Sequence, residues 1–342
     1  MANQGLGGPK AGMSLRRMFF SPQTAISFLL VVALVLLLLF GFDIAWGETW
    51  HTIKESNPWW FLVAIVVHYM TFIFRGARWR VLLINATRND EVPPLPLPVL
   101  YSGKVILMSW FANSVTFFRM GDAFRAFVFA NDTKTSFPRS VGTVLADRVI
   151  DIVVVIFLMS VALVLLLAGS EVHPPVALLL LAGGFLLAVM AALAAMTLGR
   201  RWITPRLPQR AADIYHHFHS GTMGSFARLP TVFLLGVASW LCEFGRLFFV
   251  LQAVGTPVTL GLILFVPMAN GVFSSIPLTP GGLGIVETGI SGLLQLELSV
   301  EVAVAVALMD RSISYLSIIV TGGALFFARQ VSAARRATME SG

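Results

Sequence analysis

Nine ionisable residues stand inside segments of the chain that are otherwise apolar. Five are acids, Asp147, Asp151, Glu243, Glu287 and Asp310, and four are bases, Lys104, Arg148, Arg246 and Arg311. In a bilayer a central Asp, Lys or Arg carries an insertion cost of roughly 2.5–3.5 kcal/mol. Such groups persist where they pair or line a polar cavity. Local spacing supplies two pairs at i,i+3, Arg148 with Asp151 and Glu243 with Arg246. Asp147 and Arg148 are adjacent, so each reaches a different neighbour. The guanidinium fork of arginine is planar, always charged and bidentate, which suits phosphate. Arg148 lies eight residues inside its helix from one membrane face and Arg311 nine from the other. At the α-helical rise both sit about 12–14 Å deep. The chemistry expected is a central polar cavity that takes an anionic headgroup while its tails stay in lipid.

A second candidate is the turn Pro280-Gly281-Gly282-Leu283-Gly284, which offers backbone N–H groups ahead of a helix start. Glycine nests and helix N-termini bind anions. Glu287, three residues on, either binds a basic partner such as Arg148 or Arg246 or caps the broken helix. Arg119, Asp122 and Arg125 form a further polar cluster after an apolar run. His216 and His219 share a face of an amphipathic segment and read as a hydrated interface patch rather than a metal site. His68 reads as a buried or interfacial histidine. The single cysteine, Cys242, excludes an internal disulfide and a cysteine-based zinc site. There is no H-E-x-x-H, no P-loop and no serine–histidine pair of convincing context. No metal and no cofactor is expected.

The elements that must position these residues are membrane helices. Of 342 residues, 57% are hydrophobic and only 12% charged, and mean hydropathy is +0.82. A soluble domain carries roughly 25% charged residues to cover its surface. The net charge of +7 then reads as basic loops facing anionic lipid and the cytoplasm rather than nucleic acid. Apolar segments at 24–42, 58–74, 98–118, 140–168, 174–198, 230–253, 257–296 and 302–327 are long enough to enter the bilayer. Trp59 and Trp60 anchor the second at an interface, and Arg75, Arg78 and Arg80 close it. Of 24 Lys and Arg residues, 19 fall on one side, in 1–22, 75–97, 119–139, 199–229 and 329–342; the opposite loops hold Lys54 alone. Both termini are therefore expected in the cytoplasm of a multi-pass protein of the cell membrane.

Segments 75–97 and 119–139 are both basic, so the hairpin at about 98–131 enters and leaves on the cytoplasmic side. The loops flanking 257–296 lack Lys and Arg, so that segment, broken by Pro267, Pro277, Pro280 and its glycines, enters and leaves on the other. The expectation is an all-α polytopic fold: about six full transmembrane helices and two oppositely oriented re-entrant hairpins. It divides into a flexible tail at 1–23, a membrane domain at 24–328 with an amphipathic segment at 199–229, and a tail at 329–342. Leu145-Ala-Asp-Arg148 and Leu308-Met-Asp-Arg311 match at an offset of 163, each after a broken segment. Three crossings between them make an inverted repeat, a transporter architecture with its site near the midplane.

Pro277-Leu-Thr-Pro-Gly-Gly-Leu-Gly-Ile-Val-Glu287 resembles the signature of the lysylphosphatidylglycerol synthase transmembrane-domain family, also called flippase-like domain proteins. Gly121-Asp-Ala-Phe-Arg125, Asp147-Arg148-x-x-Asp151, Glu243 and Arg311 sit where that family has polar motif residues. The resemblance covers about residues 25–330. It departs at Asp147, where the family often has Glu, and at Phe117 or Phe118, where the family has proline. The resemblance implies translocation of an amphipathic lipid, anionic or polyprenyl-phosphate-like, between leaflets. In the family this domain flips aminoacylated phospholipids, and in the synthases a soluble transferase domain follows it. Here the chain stops at Gly342, so lipid aminoacylation by this chain alone is not expected. The rival expectations are a lipid-modifying transferase embedded in the membrane and a scaffold for a lipid-synthesis complex. The expected partners are a membrane lipid, a lipid-modifying enzyme or a second copy of the chain, and not nucleic acid.

Overall fold

The computed structural model describes residues 45–88, 97–116, 120–168, 204–274 and 279–340, together with 184, 187, 191 and 194–199. The expected first span at 24–42, most of the span at 174–198, the tail at 1–23 and Arg119 lie outside the described residues. Those that are described are helical or connecting, with no strand among them.

The framework is a pair of long helices. After a short helix α1 (Trp46–Glu55), helix α2 runs from Pro58 to Ala86. Pro58 suits its first turn, and the Asn57 side chain caps it by accepting from Trp59 N–H at 2.9 Å. Its partner is α7 (Leu229–Val254), against which α2 packs more extensively than any other pair of elements does. Asn57 N–H donates to Ala253 O at 2.7 Å and ties the start of α2 to the end of α7. Gly255, at φ +78°, closes α7 in a left-handed turn whose N–H groups satisfy the Leu251 carbonyl.

Two helix–break–helix pairs flank this framework. Helix α3 (Val99–Val115) packs against α4 (Met120–Thr133), and α8 (Leu260–Phe273) packs against α9 (Ile285–Leu294). Helix α3 is largely apolar and mostly buried, with Leu100 and Lys104 on its one exposed face. Gly76 of α2 and Gly103 of α3 let the two backbones meet: a Cβ on Gly76 would stand 2.7 Å from Gly103 N. The remaining long elements are α5 (Phe137–Ala168) and a rod made of α10 (Val300–Arg311), a π turn at Ser312–Leu316 and α11 (Ser317–Glu340). One apolar core joins Trp79, Ile106, Phe111, Phe129 and Trp240; a second joins Leu251, Val266, Ile290, Val306 and Ile313. Among the described residues three stretches are long and apolar enough to cross a membrane: Pro58–Ala86, Gln209–Val254 and Val300–Ser332.

Four sequence expectations change. The second span does not close at Arg75. Helix α2 continues to Ala86 with Arg75 and Arg78 buried, because two carboxylates of α5 neutralise them. Pro267 does not break its segment; α8 runs through it, as membrane helices allow when neighbours satisfy the freed carbonyl. The segment at 199–229 is more than an interfacial helix. Its helix α6 (Gln209–Gly224) packs along the start of α5, where Gly142 and Gly221 admit the opposing backbone without a side chain. The C-terminal tail from 329 continues α11 as helix to Glu340.

Candidate functional site

The charges within the helices gather in three clusters, the first two built on α2 and α7. In the first, Asp147 of α5 accepts from Arg78 Nε at 2.8 Å and from Arg125 Nη2 of α4 at 2.9 Å. Asp151, one turn on, accepts from Arg78 Nη1 at 2.7 Å and Arg75 Nη1 at 3.1 Å. Arg148 turns the other way and clasps Asp122 of α4 through Nε at 3.0 Å and Nη2 at 2.6 Å. Four arginines meet three aspartates, an excess of one positive charge. The Arg75 guanidinium also lies 5.3 Å from the Trp110 ring and 5.8 Å from the Trp240 ring, where cation–π attraction offsets part of its desolvation.

In the second cluster Arg246 of α7 donates Nε and Nη2 to the two oxygens of Asp310, at 2.7 and 3.3 Å. Its Nη1 reaches Glu243 Oε2 and, at 3.2 Å, His68 Nδ1 of α2. One arginine here faces two carboxylates. In the third, Arg311 donates Nε to Glu287 Oε1 at 2.6 Å and Nη2 to the Gly281 carbonyl at 3.0 Å. The other Glu287 oxygen accepts from Gly284 N–H at 2.6 Å, so the carboxylate caps α9 and binds arginine together. The Arg311 guanidinium lies 4.6 Å from the Tyr315 ring. Tyr315 sits in the π turn, a distortion frequent at functional sites. Its hydroxyl donates to the Ser114 carbonyl at 3.1 Å, in the last turn of α3. A Cβ on Gly281, which has φ +62°, would overlap the Tyr315 ring. The ends of the two helix–break–helix pairs thus meet at one tyrosine.

The sequence-predicted residues are largely brought together. Asp122, Arg125, Asp147, Arg148 and Asp151 share the first cluster. Glu243, Arg246 and Asp310 share the second, and Gly281, Gly284, Glu287 and Arg311 the third; Gly282, at φ +72°, completes the turn. The partners differ from those spacing alone provides. Arg148 reaches Asp151 only at 3.7 Å, because Asp122 takes its fork. Glu287 meets Arg311 rather than Arg148 or Arg246. Lys104 lies on the exposed face of α3. Arg75 and Arg78 are site residues that the sequence reading assigned to a cytoplasmic loop. Their signal was a stripe of His68, Thr71, Arg75 and Arg78 at spacings of three and four residues. His216 and His219 belong to no group of three or more metal-binding side chains among the described residues.

Helices of membrane-spanning length whose interior faces carry paired charges define an integral, multi-pass membrane protein. The family profile described as the lysylphosphatidylglycerol synthase TM region matches residues 25–322. The chain belongs to that family. It is 27% identical over 219 residues to a UPF0104 membrane protein of Methanocaldococcus jannaschii, covering 64% of this chain and 93% of that one. A UPF0104 membrane protein of Methanothermobacter thermautotrophicus is 25% identical over 89% of this chain and 96% of its own. One from Pyrococcus horikoshii is 24% identical over 86% and 93%. The family points to a function concerned with membrane lipid.

Proposed function

We propose that the protein translocates an amphipathic, anionic lipid between leaflets of the cell membrane by passing its headgroup through the arginine clusters. The observation that carries this reading is a four-residue constellation that occurs twice. Asp147 and Arg148 are adjacent; the aspartate holds an arginine of α2, Arg78, and the arginine holds an acid of the first helical hairpin, Asp122. Asp310 and Arg311 are adjacent; the aspartate holds an arginine of α7, Arg246, and the arginine holds an acid of the second hairpin, Glu287. This doubling supports an inverted repeat with two re-entrant hairpins, and the basic loops support cytoplasmic termini.

Binding proceeds by exchange of partners. Arg148 and Asp122 have side chains 31% and 27% exposed, against 2% for Arg246. A headgroup phosphate replaces Asp122 on the Arg148 fork, the pairing that guanidinium favours. Arg125 assists from its place on Asp147, and Arg246 and Arg311 receive the phosphate further along. The turn at Gly281, Gly282 and Gly284 supplies backbone that can move, and Asp147, Asp151, Glu243, Glu287 and Asp310 neutralise the arginines between transits. The test is a proteoliposome assay with NBD-labelled phosphatidylglycerol and external dithionite. Arg148→Ala and Glu287→Ala are expected to cut the transfer rate at least about tenfold, the effect of one lost charge-assisted contact, with membrane insertion intact. Wild-type rates in both variants refute the reading.

A further inference from the structure

We infer that Glu243 is a proton-binding carboxyl that loads and unloads during the transport cycle, an assignment whose coupling part rests on the function proposed above. Six carboxylates serve the three clusters. Both oxygens of Asp122, Asp147, Asp151, Glu287 and Asp310 receive a donor from arginine or backbone. Glu243 differs: Oε2 takes Arg246 Nη1, while Oε1 is buried and has no partner. The residue as a whole is 6% exposed.

Charge leads to the same atom. With Glu243 and Asp310 ionised, the cluster holds two negative charges against the one positive charge of Arg246. His68 does not supply the balance. Arginine carries only donors, so His68 Nδ1 accepts from Arg246 and the ring proton sits on Nε2, which is buried without an acceptor. A second ring proton would have to go on Nδ1 and would break that contact. The excess negative charge therefore has one open oxygen on which to take a proton. An O–H bond forms at Oε1 with a proton from water on one side of the membrane, and the same proton leaves to the other side.

The other charged groups that approach this point have partners of their own and leave Oε1 of Glu243 unfilled. From α2 come His68 and Arg75, the latter bound to Asp151 of α5. From α7 come Arg246 and the buried Cys242 thiol, and from α10 Asp310. Helix α8 has no ionisable residue, Glu287 of α9 is held by Arg311, Tyr315 by Ser114, and Glu48, His51, Lys54 and Glu55 of α1 are exposed. Loading loosens the grip of Glu243 on Arg246.

The experiment titrates the purified protein in phosphatidylglycerol nanodiscs from about pH 4 to about pH 9, the span of buried carboxyl groups, by infrared difference spectroscopy. The wild type is expected to show the carbonyl stretch of a protonated buried carboxyl rising as pH falls. Glu243→Gln, which keeps the shape, loses the band; Glu243→Asp shifts it; Glu287→Gln retains it. No titrating band, or one that survives in Glu243→Gln, overturns the assignment. In proteoliposomes, a one-unit pH difference shifts the distribution of NBD-labelled phosphatidylglycerol by up to about tenfold for one proton, and Glu243→Gln removes that response. An equal response in the variant overturns the coupling. A Glu243-dependent band with no lipid movement overturns the transport reading and leaves the proton site standing.

Discussion

The contact between Tyr315 and Ser114 gives the sharpest test of how the two hairpins work together. The Tyr315 hydroxyl donates to a carbonyl in the last turn of α3, where helix carbonyls lack intrahelical partners. Tyr315→Phe removes that hydrogen bond alone. The ring stays over Arg311 and against Gly281, so the cation–π contact and the packing persist. A neutral hydrogen bond of this kind contributes about 0.5–1.5 kcal/mol net. If it holds the hairpin ends together in the resting state, its loss raises the population of parted ends by about 2- to 13-fold. Ser114→Cys in a Cys242→Ser background provides the readout, since residue 114 is buried with the ends joined. Its modification by a water-soluble thiol reagent should accelerate by that factor when Tyr315→Phe is added, and transfer of the NBD-labelled lipid should rise with it. Thermal stability should fall by no more than the same 0.5–1.5 kcal/mol or so. Labelling and transfer rates unchanged by the substitution refute the idea that this bond latches the hairpins.

Asp147→Ala leaves Arg78, which is fully buried, and Arg125 with one acceptor fewer; thermal unfolding in detergent should register a loss of about 3–5 kcal/mol. Adding Arg125→Ala should recover part of it by removing one of the stranded charges. Glu287→Ala should destabilise more than Glu287→Gln by about 1 kcal/mol, because glutamine keeps an acceptor oxygen for Gly284 N–H; equal losses in a thermal scan would contradict the capping role. Gly282→Ala places a Cβ 2.6 Å from Val286 Cγ2 at φ +72°; left-handed backbone alone adds about 1–2 kcal/mol, and the yield of folded protein should drop. Opposed hairpins require Thr133→Cys and Glu297→Cys, each in the Cys242→Ser background, to label from opposite sides of the membrane; labelling from one side rules them out.

The sequence exposed the solvent and most of the site, but little of the pairing. Scarce charge marked lipid as the surroundings, and eight of the nine charges left within apolar runs, all but Lys104, proved to be clustered residues. Spacing along one helix offered Arg148–Asp151 and Glu243–Arg246. The first is long because Asp122, 26 residues away, makes the better fork, and nothing local reveals such a partner. Arg75 and Arg78 were misplaced for a related reason. Beside Arg80 and Arg88 they look like a basic loop, and the same letters serve a loop or a buried stripe. Carboxylates on another helix decide between the two. Tyr315 was invisible because a single aromatic residue in an apolar helix has no signature, and the π turn that aims it arises in three dimensions.

The doubled constellation is not symmetric in charge, and the difference rests on one position. Three residues before Arg78 stands Arg75; three before Arg246 stands Glu243. The first substitution of sign leaves its cluster with one positive charge to spare, and the second leaves its cluster with one negative. On the function and proton site proposed above, a lipid phosphate and a proton are the complements of these two excesses. Both excesses face inward from helices packed against each other, α2 and α7, so filling one weakens the field at the other and the two occupants bind with linked affinities. Linkage is reciprocal. Protonation of Glu243 removes a negative charge from the neighbourhood of the arginines and strengthens their hold on phosphate, and bound phosphate in turn favours the protonated acid. The lipid should therefore be taken up from the leaflet facing the more acidic side. Reversing the pH difference across the proteoliposome should reverse the leaflet in which NBD-labelled phosphatidylglycerol accumulates; accumulation in the same leaflet under both gradients would show that the two excess charges act independently.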